Sequence, residues 1–326
     1  MENILEINNL TISIGDKETG FEVVSNASIA VPKGKIIGIV GESGCGKTIT
    51  ALSIMKLLPD PPAKITSGEI IFKNKNILEI SDEELRDIRG NEISMIFQEP
   101  VSSLNPVFTI GEQIGETIRT HNDINSKDER EKVIELLKLV GIPEPERRYS
   151  NYPHEMSGGM CQRVMIAMAL CCSPDLLIAD EPTTALDVTV EAGIIDLIDN
   201  LRKDLGMSVI LITHDLGIIS EIADEVYVMY AGRIVEHAQN ELLFSNPKHP
   251  YTVGLLNSIP DLADTDKRDL KMINGNIPSP KNYPKGCRFN DRCELVIEKC
   301  KVNVPVLEKL EEKHESACFR SKEVNF

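Results

Sequence analysis

Residues 41–48 read GESGCGKT, set between an apolar β-branched run, IIGIV at 36–40, and a segment with helical spacing, ITALSIMKLL at 49–58. Gly41, Gly44 and Gly46 lack the Cβ that would stop a backbone from curling its N–H groups round an anion. The loop leads into a helix, whose first N–H groups are unpaired and whose dipole is positive at that end. A GK[ST] ending assigns Lys47 to the β- and γ-phosphates of a nucleoside triphosphate and the Thr48 hydroxyl to Mg2+. Glu42, Ser43 and Cys45 complete the cradle. The IIGIV run suits a buried parallel strand, so the expected fold class is α/β with a parallel core sheet.

Downstream, LLIADEPTTALD spans 176–187. Asp180 and Glu181 end an apolar strand and so fall at the sheet's carboxyl edge, where α/β folds collect ligands. Asp180 fits a Mg2+ site, directly or through water, and Glu181 fits the group that orients or deprotonates an attacking water. His214 follows VILIT at 209–213 at the tip of another buried strand, where it is placed to sense a γ-phosphate. Gln98, in IFQEP, ends a further strand and takes its meaning from the others.

The rest of the chain fits this plan. Residues 4–14 and 22–31 alternate apolar and polar side chains, which predicts an antiparallel N-terminal sheet. From about Gln98 to Leu170 the spacing turns helical, with DEREKVIELLKLV at 128–140 closed by Gly141 and Pro143. Strand character returns at 176–179, 209–213 and 226–229, with a helix through 194–205 between. Past Val235 the chain becomes rich in Pro, Asn and Lys and reads as a mostly irregular appendage. The expected domains are an ATPase domain over 1–238, with a helical subdomain at 99–168 inserted in it, and a C-terminal extension over 239–326.

The 326 residues are 41% hydrophobic and 26% charged, an ordinary globular composition. A net charge of −16 argues against nucleic acid as a partner and against adhesion to acidic lipid. No basic start with an apolar block is visible at the N-terminus, and VMIAMALCC at 164–172 falls short of the about 20 apolar residues of a spanning helix. The expected location is therefore the cytoplasm, where the eight cysteines would be thiols or metal ligands rather than disulfides. Cys287, Cys293, Cys300 and Cys318 follow C-x5-C-x6-C-x17-C. Four grouped thiolates suggest a metal centre, and an iron–sulfur cluster, a structural zinc and plain free thiols all remain open. The wide gaps favour the cluster over zinc, which commonly uses a C-x2-4-C knuckle. His314 is the nearest spare ligand and reads as a solvated surface histidine.

The phosphate loop, Gln98, MSGGM at 156–160, LLIADE, the TALD turn at 184–187 and His214 together resemble the nucleotide-binding subunit of an ABC (ATP-binding cassette) transporter over roughly residues 1–240. VGESGCGKT, FQEPVSSLNP, SGGM-x-QRVMIAMAL, ITHDLG and the tail HPYT-x-GLL resemble more narrowly the ATPases of bacterial oligopeptide and dipeptide importers, with nickel importers as close relatives. The resemblance implies a head-to-tail pair of such subunits sandwiching ATP. Ser157, Gly158 and Gly159 would cap the γ-phosphate in trans, with Asp187 of the TALD turn at the same interface and Gln98 beside Mg2+ and the attacking water. It further implies a paralogous ATPase as partner, or a second copy of the chain. Two transmembrane permease subunits would dock near 98–106, served indirectly by an extracytoplasmic solute-binding protein. The chain would then sit peripherally at the cytoplasmic face of the membrane. The same family carries this cysteine pattern with a 4Fe-4S cluster. The chain departs from the usual LSGGQ signature at Met156 and Met160, has Cys161 where the peptide branch tends to have Arg, and has Ile14 where an aromatic usually stacks the adenine. Phe21 is the candidate replacement for that aromatic. The chain shows neither the paired cassettes of a soluble translation or repair factor nor the membrane helices of an exporter.

Overall fold

The structure, a computed structural model, describes residues 2–16, 20–183, 187–258 and 273–326. Its strands are β1 Asn3–Ile14, β2 Phe21–Pro32, β3 Ile36–Val40, β4 Ala63–Phe72, β5 Lys75–Asn76, β6 Ile93–Ile96, β7 Leu176–Asp180, β8 Ser208–Thr213, β9 Glu225–Tyr230, β10 Arg233–Gln239, β11 Glu308–Glu311 and β12 His314–Ser316. The chain divides into two compact units: one is built mainly from Glu79–Ile210, the other from Leu5–Val31, Lys35–Leu78 and Leu211–Phe326.

In the second unit an antiparallel sheet takes the order β2-β1-β4-β5. The β1–β4 register runs from Leu5 opposite Phe72 to Ile14 opposite Ala63, with an irregularity at Asn8–Ile12. Leu5, Ile7, Leu10 and Ile12 are buried, so the alternation legible in the sequence is the alternation of the pleat. A further sheet runs β11-β12-β10-β9-β3. β3 is buried along its length and parallel to β9, with Ile37 opposite Glu225 and Val40 opposite Val228. The phosphate-loop helix, Lys47–Ile54, starts after the six residues 41–46 that follow that strand.

The segment after Val235 is more regular than its Pro and Asn content predicts. β10 pairs antiparallel with β9, and β12 with β10, so this part of the chain extends the sheet that carries the phosphate loop. A sheet edge offers unpaired N–H and C=O groups, and satisfying them outweighs weak local propensity. Helices Asn240–Ser245 and Pro250–Leu256 follow.

In the first unit β6 and β7 pair in parallel, Ile93 opposite Leu176 and Ile96 opposite Ala179, beside the start of β8. Between them lie helices Ile110–His121, Ser126–Leu139 and Gly158–Leu170. Thr109 and Glu112 form a reciprocal capping box at the first, and Asn125 caps the second. Ile114 and Ile118, Val133 and Leu137, and Val164 and Ile166 supply their buried faces. Among the described residues no helix is long and apolar enough to cross a membrane.

Candidate nucleotide site

The phosphate loop is held from below and open above. Gly41 has φ +153°, and a Cβ there would lie 2.1 Å from the Met229 carbonyl oxygen, so the loop starts on a backbone contact that only glycine permits. Gly46, at φ +112°, turns the chain into the helix. The Gly232 N–H donates to the Cys45 carbonyl at 2.7 Å and bolts the loop to the β9–β10 turn. Lys47 is 4% exposed, and its ammonium donates to the carbonyls of Gly41 at 2.7 Å and Glu42 at 3.3 Å. Ser43, Gly44 and Thr48 face solvent, which leaves the concave side of the loop accessible. Cys45 is fully buried as a small packed residue, and that burial pushes its thiol up.

Glu42 is gripped twice by the C-terminal segment. Its N–H donates to the Tyr251 hydroxyl at 2.9 Å, and its carboxylate accepts both terminal nitrogens of Arg292, at 2.7 and 2.9 Å. Arg292 also reaches the Tyr230 hydroxyl at 3.3 Å and donates from Nε to the Asn274 carbonyl at 2.9 Å. The Glu42 pairing pushes the Arg292 guanidinium further up. The sequence reading missed both residues; Tyr251 lies in the HPY string, but nothing local marks Arg292.

In the first unit the parallel β6–β7 pair delivers the acidic residues. Asp180 is 2% exposed at the end of β7. Glu181 follows with φ +47°, a left-handed conformation that costs a non-glycine residue about 1–3 kcal/mol and is found where surroundings impose it. The Gln98 Nε2 group donates to its carboxylate at 3.0 Å. Ser157 caps helix Gly158–Leu170, its hydroxyl accepting from the Met160 N–H at 3.3 Å. A Cβ on Gly159 would meet Val190 Cγ1 at 3.0 Å, so the start of this helix lies against the helix that Asp187 caps. The Asp187 carboxylate accepts the Val190 N–H at 3.0 Å, and Thr184, Ala185 and Leu186 of the TALD turn lie outside the described residues.

His214 belongs to the second unit, exposed one residue beyond β8. The Asp215 N–H donates to Thr213 Oγ1 at 2.9 Å, and the Asp215 carboxylate caps the following helix, so the histidine backbone is pinned on its C-terminal side. Phe21, the adenine candidate, is half-buried at the start of β2 with the Lys281 ammonium 5.5 Å from its ring centre.

Two expectations for the C-terminal segment change. His314 is fully buried and not solvated: its Nε2 lies 2.8 Å from the Glu236 carboxylate. The same carboxylate accepts the N–H groups of Lys248 and His249, which fixes the turn into helix Pro250–Leu256. The expected metal centre is not borne out. Cys287, Cys293, Cys300 and Cys318 do line one small cavity walled by Pro250, Phe289, Pro305 and Phe319. Even so, no three His, Cys, Asp or Glu side chains among the described residues are grouped to hold a metal ion. Burial, reinforced by the neighbouring thiols, pushes Cys287 up to about 11 and Cys318 up to about 12 in the metal-free chain.

Each unit carries one feature of a nucleotide-hydrolysing protein: the second a glycine loop between a buried strand and a helix, the first a carboxylate pair at the end of a parallel strand. The ABC transporter family model matches residues 24–184, and that of the oligopeptide/dipeptide transporter C-terminal region matches 235–300. A probable peptide ABC transporter ATP-binding protein of Sinorhizobium fredii is 50% identical over 321 residues, covering 98% of this chain and 96% of the relative. A dipeptide transport ATP-binding protein of Bacillus subtilis is 49% identical over 293 residues, 90% of this chain and 87% of the relative. A solved ATP-binding cassette, dimeric in a post-hydrolysis state with ADP and phosphate, superposes with a TM-score of 0.65 at 27% identity, covering 72% of this chain and 98% of the other. The chain belongs to the peptide ABC transporter ATP-binding proteins, ATPases coupled to transport.

Proposed function

We propose that the chain hydrolyses ATP to drive peptide import, closing on ATP as one half of a head-to-tail pair of nucleotide-binding subunits. The observation that carries the catalytic reading is the Gln98–Glu181 hydrogen bond next to the buried Asp180. In this reading Lys47 and the N–H groups of residues 43–48 bind the triphosphate, and Phe21 stacks the adenine. Thr48, Asp180 and Gln98 hold Mg2+, whose charge offsets that developing on the transferred phosphoryl group. Glu181 aligns and deprotonates the attacking water, Gln98 holds that carboxylate in place, and His214 contacts the γ-phosphate. Ser157, Gly158 and Gly159 serve the partner's nucleotide, because the capped helix start presents N–H donors and no side chain blocks the approach.

The partner is a paralogous ATPase or a second copy of this chain, and both engage two permease subunits that receive cargo from a solute-binding protein. The permease contact is the loop after Gln98. Phe97, Val107 and Phe108 are 40%, 71% and 47% exposed around it, and Gln113 clasps the loop by accepting the Asn105 N–H at 2.8 Å and donating to the carbonyls of Asn105 and Phe108 at 3.0 Å each. This docking places the chain at the cytoplasmic face of the membrane. The ATPase domain covers 1–238, with 99–168 as its helical insertion, and 239–326 forms the C-terminal extension.

The four thiols on one cavity support a 4Fe-4S cluster held by Cys287, Cys293, Cys300 and Cys318, a staple for the C-terminal segment. Stoichiometric iron and acid-labile sulfide in anaerobically purified protein, lost in Cys293→Ser, would support it; zinc alone or no metal would refute it. The function is tested by reconstituting the chain with its permeases and partner in vesicles and following ATP-dependent peptide uptake. Uptake of nickel and not peptide would leave the ATPase assignment in place and move the cargo.

A further inference from the structure

The loop that binds the triphosphate carries its own anion. Glu42 is the second residue of GESGCGKT, and its side chain is 32% exposed. An uncompensated carboxylate there would repel a polyanion entering the same loop. The structure compensates it from a distant part of the chain. The Arg292 side chain is 6% exposed and binds the carboxylate with both terminal nitrogens, the geometry in which a guanidinium holds a carboxylate most firmly. Around it, the Tyr230 hydroxyl and the Asn274 carbonyl fix the guanidinium, and the Tyr230 and Phe289 rings lie 5.7 and 5.9 Å from it. Tyr251 takes the Glu42 N–H, so that donor is committed before any nucleotide arrives.

We propose that Arg292 is a positioning residue for ATP binding: it neutralises Glu42 and turns its carboxylate onto the C-terminal segment, lowering the negative potential that an incoming triphosphate meets at the loop. The proposal rests on the ATP-binding reading and deepens it. The C-terminal segment becomes part of the nucleotide site through one ion pair. A segment that merely braced the loop would not need a charge at this position. Arg292→Gln, uncharged but about two bonds shorter, removes the charge together with the bidentate contact, and Arg292→Lys, which restores only the charge, separates the two.

The test is a titration of the full chain with a fluorescent ATP analogue and Mg2+, with folding checked by circular dichroism. Arg292→Gln weakens binding about tenfold, the scale of one uncompensated charge near the surface, and the loss shrinks in high salt. Arg292→Lys, which keeps the charge, recovers most of the affinity. The double variant Glu42→Gln with Arg292→Gln binds several-fold more tightly than Arg292→Gln alone, because the repelling carboxylate is gone. Glu42→Gln by itself, which leaves Arg292 charged beside the loop, binds more tightly than the parent chain, and this arm stands even if Arg292→Gln does not fold. Wild-type affinity in Arg292→Gln, no recovery in the double variant, or weaker binding in Glu42→Gln overturns the proposal. Lys47→Ala binding as tightly as the parent would instead overturn the ATP-binding reading.

Discussion

The Gln98 side-chain amide donates a 3.0 Å hydrogen bond to the Glu181 carboxylate across the ends of two adjacent parallel strands. The pair register, Ile96 opposite Ala179, sets both residues two positions past aligned partners, so the sheet itself measures the separation. Glu181→Gln is expected to keep nucleotide binding and lower ATP turnover of the assembled transporter by about 100-fold or more, as loss of a general base does. Gln98→Ala keeps the carboxylate but removes this hydrogen bond to it, and turnover falls by about 10- to 100-fold. Phosphate release from reconstituted vesicles measures both, and unchanged turnover in Glu181→Gln would remove the water-activating role.

Lys47 is buried with its ammonium against the carbonyls of Gly41 and Glu42, inside the loop that reads as the triphosphate cradle. Replacing it by Ala removes a charge-assisted contact, and ATP affinity drops by about 100-fold in equilibrium titration.

His249 supplies a pH dependence. It is fully buried, its Nδ1 accepts the Tyr251 N–H at 3.1 Å, and burial lowers it from 6.5 to about 3. The folded chain keeps it neutral while the unfolded chain protonates it below 6.5. Its contribution is therefore complete above about 6.5 and is lost progressively as the pH falls toward 3, at about 1.4 kcal/mol per pH unit. Urea unfolding at pH 7.5 and 5.5 should show this slope in the parent chain and its loss in His249→Asn, which can still cap the helix.

The clasp made by Gln113 predicts a separation of ATP hydrolysis from transport. Gln113→Ala frees the loop that presents Val107 and Phe108, and Phe108→Ser removes apolar surface from it. Both variants should bind ATP normally and recover less permease on affinity purification. Equal recovery would move the docking surface elsewhere.

Much of this protein was legible in its sequence because the signals are local. A glycine loop, a β-branched run before it and a helical period after it need no partner to be recognised; β3 and the loop stand where those signals put them, and the helix is Lys47–Ile54, ending four residues short of the 49–58 helical spacing. The same holds for β7, β8 and β9, whose apolar runs are buried along nearly their whole length. Asp180, Glu181 and His214 were found because each terminates such a run.

What the sequence could not give are relationships between segments far apart in the chain. Composition after Val235 speaks for irregular structure, yet β9 offers an edge that β10 and β12 complete. A histidine in a charged stretch reads as solvated, but His314 is buried against Glu236, 78 residues away. Arg292 and Glu42 lie 250 residues apart, and neither has a local pattern that announces the other. The sequence by itself determined the phosphate loop, the strands and the carboxylates, because backbone freedom and apolar periodicity act over a few residues. Only the tertiary structure decided which distant charge neutralises the loop and which carboxylate each histidine meets, because pairing of buried charges depends on where the whole chain comes to rest.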